Sequence, residues 1–172
     1  MVEHYPQGLG ERHATRAANR HASWWRIAPL SLVLLAALFG LLGGAPAPTL
    51  RTGNAAATLA VTTPDLLRNG MFFETRIAAV ARAPIDDAVI AIPAALWRDA
   101  TVNTLIPAAT EEEFVDGEFR FHFGPRATGE TLGMKIDGQM NPPRFTGASG
   151  RLRLLDGDRE IAAVPLSLKV IP

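Results

Sequence analysis

The chain has 172 residues, 48% of them hydrophobic, with 17 Lys and Arg balanced by 17 Asp and Glu. That length suits one domain with ample apolar material for a core, and the charge balance excludes a basic field for nucleic acid. Cysteine is absent, which excludes disulfides, thiolate metal sites, thiol nucleophiles and a lipidated cysteine.

The charge is unevenly placed. Arg12, Arg16, Arg20 and Arg26 outnumber Glu3 and Glu11, so residues 1–26 carry +2 and the remainder −2. The next stretch, residues 27–45 (IAPLSLVLLAALFGLLGGA), has no charge and seven leucines. As a helix rising about 1.5 Å per residue it nearly crosses a hydrocarbon layer of about 30 Å, with Pro29 in its first turn, where a missing N–H is harmless. Trp24 and Trp25 fall at the headgroup edge, and the arginines beside them place residues 1–26 in the cytoplasm. Gly40 and Gly44 have the bare spacing of a helix–helix contact. The expectation is a transmembrane helix at 27–45 in a single-pass protein of the cytoplasmic (inner) membrane, with the lipid bilayer as its first partner. A cleaved signal peptide shares this pattern. Against cleavage stand the long leading segment and the prolines just after the candidate sites Gly43–Ala45 and Ala45–Ala47.

Residues 46–57 mix Pro, Gly, Ala and polar residues without period and read as a linker. From Thr58 the pattern has period two, with turn residues every ten or so positions, as in a sandwich or barrel. Phe119, Phe121 and Phe123 alternate with Glu118, Arg120 and His122, which assigns the three rings to a core and the polar residues to the other face. Leu132, Met134, Ile136 and Met140 alternate similarly with Lys135, Asp137 and Gln139, as do Val164, Leu166, Leu168 and Val170 along 164–170. Shorter candidates are Thr58–Thr62, Met71–Ala81, Ala88–Ile92, Thr101–Leu105 and Arg151–Leu155. Asn69-Gly70, Asp116-Gly117 and Asp156-Gly157-Asp158 supply turns that favour antiparallel pairing. The expected fold is all-β, an extracytoplasmic immunoglobulin-like antiparallel β-sandwich over residues 58–172, preceded by the helix.

Two stretches, NGMFFETRIAAVARAPIDDAVIAIPAALW and FRFHFGPRATGETLGMKIDGQ, carry a resemblance across about residues 58–142. Gly70 before a strand, Pro93 closing an Ile-Pro strand end, and Gly124 and Gly129-Glu130 at the entry to a later strand are similar to the bacterial immunoglobulin-like repeats of the DUF11, CARDB and NEW3 types. The chain departs from that pattern after Met140. The resemblance implies the sandwich fold and a role as spacer, adhesion module or assembly platform.

The residues offer no catalytic, cofactor or metal constellation, so no enzyme activity, cofactor or small-molecule substrate is expected. Among the four histidines only His122 lies beyond the tail, on a polar face, and no nucleophile elbow accompanies Ser149 or Ser167. The acidic groups Glu111–Glu113 with Asp116, Asp86 with Asp87, and Asp156 with Asp158 lack a calcium loop's ligand order and read as solvated loop charge. Candidate anchors for a protein partner are Trp97, after a proline-initiated turn, and Arg144 and Phe145, in the proline-fixed loop QMNPPRFTG; Leu105 and Ile106 are further apolar residues near a loop. The expected function is a non-enzymatic accessory protein that binds another membrane or envelope protein. A carbohydrate- or envelope-polymer-binding module is the alternative, and it requires an exposed aromatic platform.

Overall fold

The computed structural model describes residues 24–42, 44–142 and 146–171. The chain divides into two units, Met1–Leu42 and Gly43–Pro172.

In the first unit, helix α1 runs Trp24–Leu38, fifteen residues. It starts earlier than expected, so Pro29 lies inside the helix rather than in its first turn. It also ends earlier. Gly40 adopts φ +71°, the Leu41 N–H reaches back to the Ala36 carbonyl (2.9 Å) and the Gly40 N–H to that of Ala37 (3.0 Å). This is a Schellman ending, which glycine makes without steric cost. Gly40 and Gly44, both at positive φ, therefore do not form a packing stripe on a helix. Among the described residues no helix is long and apolar enough to cross a membrane. Fifteen residues of helix span about 22 Å.

The second unit is a β-sandwich. One sheet has five strands in the order β1 (Thr49–Gly53), β2 (Ala57–Thr62), β4 (Phe72–Ala81), β9 (Thr131–Met140), β6 (Ala100–Ile106). The other has six, in the order β3 (Leu66–Arg68), β11 (Arg159–Ile171), β10 (Ala148–Asp156), β5 (Ala88–Pro93), β8 (Glu118–His122), β7 (Glu111–Val115). All pairings are antiparallel except β3 with β11. Each strand anticipated from alternation has its counterpart. β1 lies within the stretch read as a linker, and β7 is the run of glutamates read as loop charge.

The alternating residues fill the space between the sheets as their period requires. Leu59, Val61, Ile77, Ile90, Ile92, Phe121, Met134, Ile136, Leu152, Leu154 and Val164 are buried in one cluster. A second cluster, Leu67, Met140 and Val170 with Met71 and Phe73 against it, closes one region of the sandwich. A third lies on the outer face of the six-stranded sheet, where Val89, Ala91 and Leu155 are 0% exposed. Arg120 and Arg153 stand on that face opposite Ala91 in the strand register. Such long side chains can cover apolar neighbours with their aliphatic stems while their heads remain paired. Arg120 pairs with Asp158 (2.8 Å) and Glu113 (3.4 Å), and Arg153 with Glu118 and Glu160.

Candidate functional site

Trp97 ends α2 (Ala94–Trp97), the short helix that carries the chain from β5 in one sheet to β6 in the other. Pro93 is the last residue of β5, in register with Glu118, and the Ala94 N–H bonds to the Gly117 carbonyl (2.9 Å). Leu96 is buried in the core. Gly150 on β10 allows this seat: a Cβ there would lie 3.0 Å from Pro93 Cγ and 3.4 Å from Leu96 Cγ. Beyond the helix Asp99 takes φ +60°, and its carbonyl accepts the Asn141 N–H (2.8 Å).

This seat leaves Trp97 half-buried, with one side on the core. Its ring centroid lies 5.4 Å from that of Phe119 and 6.0 Å from that of Phe121, and Phe119 is 5.0 Å from Phe114. The four rings thus form a ladder from the interior to the surface, where Phe114 on β7 is 59% exposed. Of the phenylalanines expected as core, Phe121 and Phe123 are buried while Phe119 is only partly so.

The ladder floors an open groove of about 360 Å³ between the edge strand β6 and the hairpin β7–β8. Trp97, Phe119 and Phe121 line it from one side, Val102, Asn103, Thr104 and Leu105 from the other, and Glu112 contributes a carboxylate. The hairpin turns on Asp116 (φ +53°) and Gly117 (φ +79°), the two left-handed residues of a type I′ turn, which fixes the β7–β8 register and sets Phe114 opposite Phe119. On the inward side of Trp97 lies a separate apolar cavity of about 50 Å³, bounded by Phe73, Ile92, Leu96, Ile136 and Leu152.

Of the three residues expected to bind a partner, Trp97 lines the groove; Arg144 and Phe145 lie outside the described residues. Leu105 lines the groove too, and Ile106 is exposed. Phe114 and Glu112 are not among the expected residues, because the glutamate run of their strand has the look of a charged loop. Asp116-Gly117 was the available signal, since a type I′ dipeptide implies a strand on both sides.

His122 sits on the opposite face of β8, its ring half-buried between two carboxylates. Nδ1 lies 2.7 Å from Asp87 Oδ2 and Nε2 3.4 Å from Glu113 Oε1. Burial works to lower the His122 pKa, but the hydrogen bonds and charges of Asp87 and Glu113 outweigh it and hold the group above the ordinary histidine value. With both nitrogens facing carboxylates, the ring is placed as a bridging cation rather than as a base beside a hydroxyl. Asp156 fills a similar joining role. Its Oδ1 accepts the backbone N–H groups of Asp86 (2.8 Å) and Asp87 (3.2 Å), and Oδ2 pairs with Arg159 (2.7 Å). The Arg159 bond, helped by the two backbone donors, lowers the Asp156 pKa against the opposing effect of burial. Among the described residues no group of three or more His, Asp or Glu is arranged to hold a metal ion.

No family model and no curated protein matches the chain. Solved structures are similar to it, among them the following two. The chitin-binding domain of chitinase from Pyrococcus furiosus is 17% identical with a TM-score of 0.40, over 66% of this chain and 100% of that one. The yeast delta-COP-I mu-homology domain is 16% identical with a TM-score of 0.30, over 67% of this chain and 55% of that one. Neither likeness carries a function to this chain.

Proposed function

We propose that this chain is a membrane-anchored, non-enzymatic interaction protein whose immunoglobulin-like sandwich binds another membrane or envelope protein through the groove between β6 and β7. The carrying observation is the ring ladder Phe114–Phe119–Trp97, which brings aromatic surface to solvent between two sheet edges. Aromatic anchors of this kind dominate binding energy at protein interfaces. The rings favour a protein partner over a polysaccharide. They lie tilted on one another by 36° and 54°, so their faces are spent within the ladder and do not form a flat platform for sugar rings.

The anchor reading rests on α1 and the turn after it. Leu30, Leu32, Val33, Leu34, Leu38, Phe39 and Leu41 are exposed around the whole circumference, which suits lipid and leaves no polar face for water. We also read the chain as a relative of the DUF11, CARDB and NEW3 repeats; the glycines that carry that resemblance, Gly70, Gly124 and Gly129, all adopt positive φ, where other residues are strained.

The test is photocrosslinking of the full chain in intact membranes, with the photoreactive residue at Phe114 or Val102 and, as control, at Arg76, whose side chain is 70% exposed on the five-stranded sheet. A protein adduct confined to the groove positions supports the reading and names the partner. Equal or absent adducts overturn it. Extraction of the chain from membranes by alkaline carbonate would overturn the anchor.

A further inference from the structure

Four strands stand at sheet edges, β1 and β6 in one sheet and β3 and β7 in the other. An edge offers unpaired backbone groups to any extended chain unless something blunts it. β3 is three residues long. β6 carries a register shift between Val102 and Thr104, so Asn103 bulges and twists the edge. β1 ends in Gly53 and is remote from the groove, at the far edge of its sheet. β7 alone borders the groove with an unbroken register, Glu111 opposite His122 through Val115 opposite Glu118.

Its protection is charge, and charge of one sign. Glu113 is paired with Arg120 and His122 on the outer face. Glu111 shares that face, while Glu112 and Phe114 point to the groove side; Glu111 and Glu112 have no ion-pair partner among the described residues. Lysine is the usual guard of an edge, and it repels indiscriminately among cationic strands. Carboxylates instead reject acidic strands, including β7 of a second copy, and attract basic ones.

We infer that an extended segment of the partner protein adds antiparallel to β7 as a seventh strand of the six-stranded sheet, with the order apolar, apolar, any residue, basic, basic. This rests on the groove reading above and specifies its mode. Directly opposed side chains on neighbouring strands meet at about 5 Å. The register therefore sets two apolar side chains against Val115 and Phe114, the latter over Phe119 and Trp97, and two basic ones against Glu112 and Glu111. Main-chain bonds supply affinity, and the two ends of β7 supply order.

The experiment titrates the full chain in detergent micelles with fluorescent peptides of core Val-Leu-Thr-Lys-Lys, followed by anisotropy. Comparison peptides carry the reversed core, Glu-Glu in place of Lys-Lys, or N-methyl groups on the pairing backbone. Saturable binding of the first peptide is expected, weakened at least tenfold by N-methylation, by Glu-Glu and by the variant Glu111→Gln/Glu112→Gln. Loss of order dependence, equal binding of the N-methylated peptide, or no saturable binding overturns strand addition, and so does self-association of the chain abolished by Phe114→Ser, which would make a second copy the occupant. If strand addition fails while the Phe114 crosslink persists, the groove reading stands; if both fail, it falls as well.

Discussion

His122 is held between Asp87 and Glu113, and through Glu113 it ties the edge strand β7 to the loop that leads into β5. Because the folded protein raises the His122 pKa, the interaction stabilises fully below the unfolded value near 6.5 and is lost as pH rises through the higher folded value. The melting temperature should therefore fall as pH rises above about 6.5, and His122→Gln should flatten that slope. A slope unchanged in the variant would assign it to another group.

Asp156 responds at the acid end. Its folded pKa lies below the ordinary 3.8, so its contribution is present above that value and disappears as pH falls through the lowered one. Asp156→Ala removes the acceptor of the Asp86 and Asp87 amides and should cost about 1–2 kcal/mol at neutral pH, read from urea unfolding. The variant should also lose part of the wild type's acid sensitivity.

Trp97 and Phe114 should separate stability from binding. Trp97→Ala opens space against the core and should cost about 2–3 kcal/mol. Phe114→Ser removes an exposed ring and should cost under about 1 kcal/mol, while abolishing the membrane crosslink at Val102. If Phe114→Ser unfolds the domain, the ring is a core residue and the groove loses its outer anchor.

Gly138 is closed to a side chain. A Cβ there would lie 2.6 Å from Phe73 Cζ and 3.0 Å from the Thr101 carbonyl oxygen. Gly138→Ala should destabilise by about 1–3 kcal/mol, and Phe73→Leu in the same chain should recover part of that loss. Additive losses in the double variant would show that the backbone contact, not the ring, sets the cost.

The legible parts of this fold are those where one face of a strand is buried. Alternation at Phe119–Phe123, Leu132–Met140 and Val164–Val170 locates β8, β9 and most of β11 because burial acts on every second residue. β1 is invisible to that signal, since its side chains are almost all exposed and it is held by its ladder to β2. β3 is too short to show a period, and β7 presents glutamates on both faces because an edge strand needs protection more than burial. The end of α1 was legible in principle at Gly40, but an unbroken apolar run hides a stop that backbone bonds alone create. Trp97, which lines the groove, is legible as an aromatic beside a proline; Glu112 and Phe114 are hidden with the strand that bears them.

The parallel pairing of β3 with β11 joins Leu66 to Lys169 and Arg68 to Ile171, positions about a hundred residues apart. β11 is also the inner neighbour of β10, so the six-stranded sheet stays split until residue 171 has left the ribosome. With synthesis at about 5–20 residues per second, β3 stands open for about 5–20 s on each nascent chain and the β10 edge for about 1–3 s. Completion of this domain therefore waits on β11, and a chain arrested before β11 presents unpaired edges to whatever quality-control machinery surveys them.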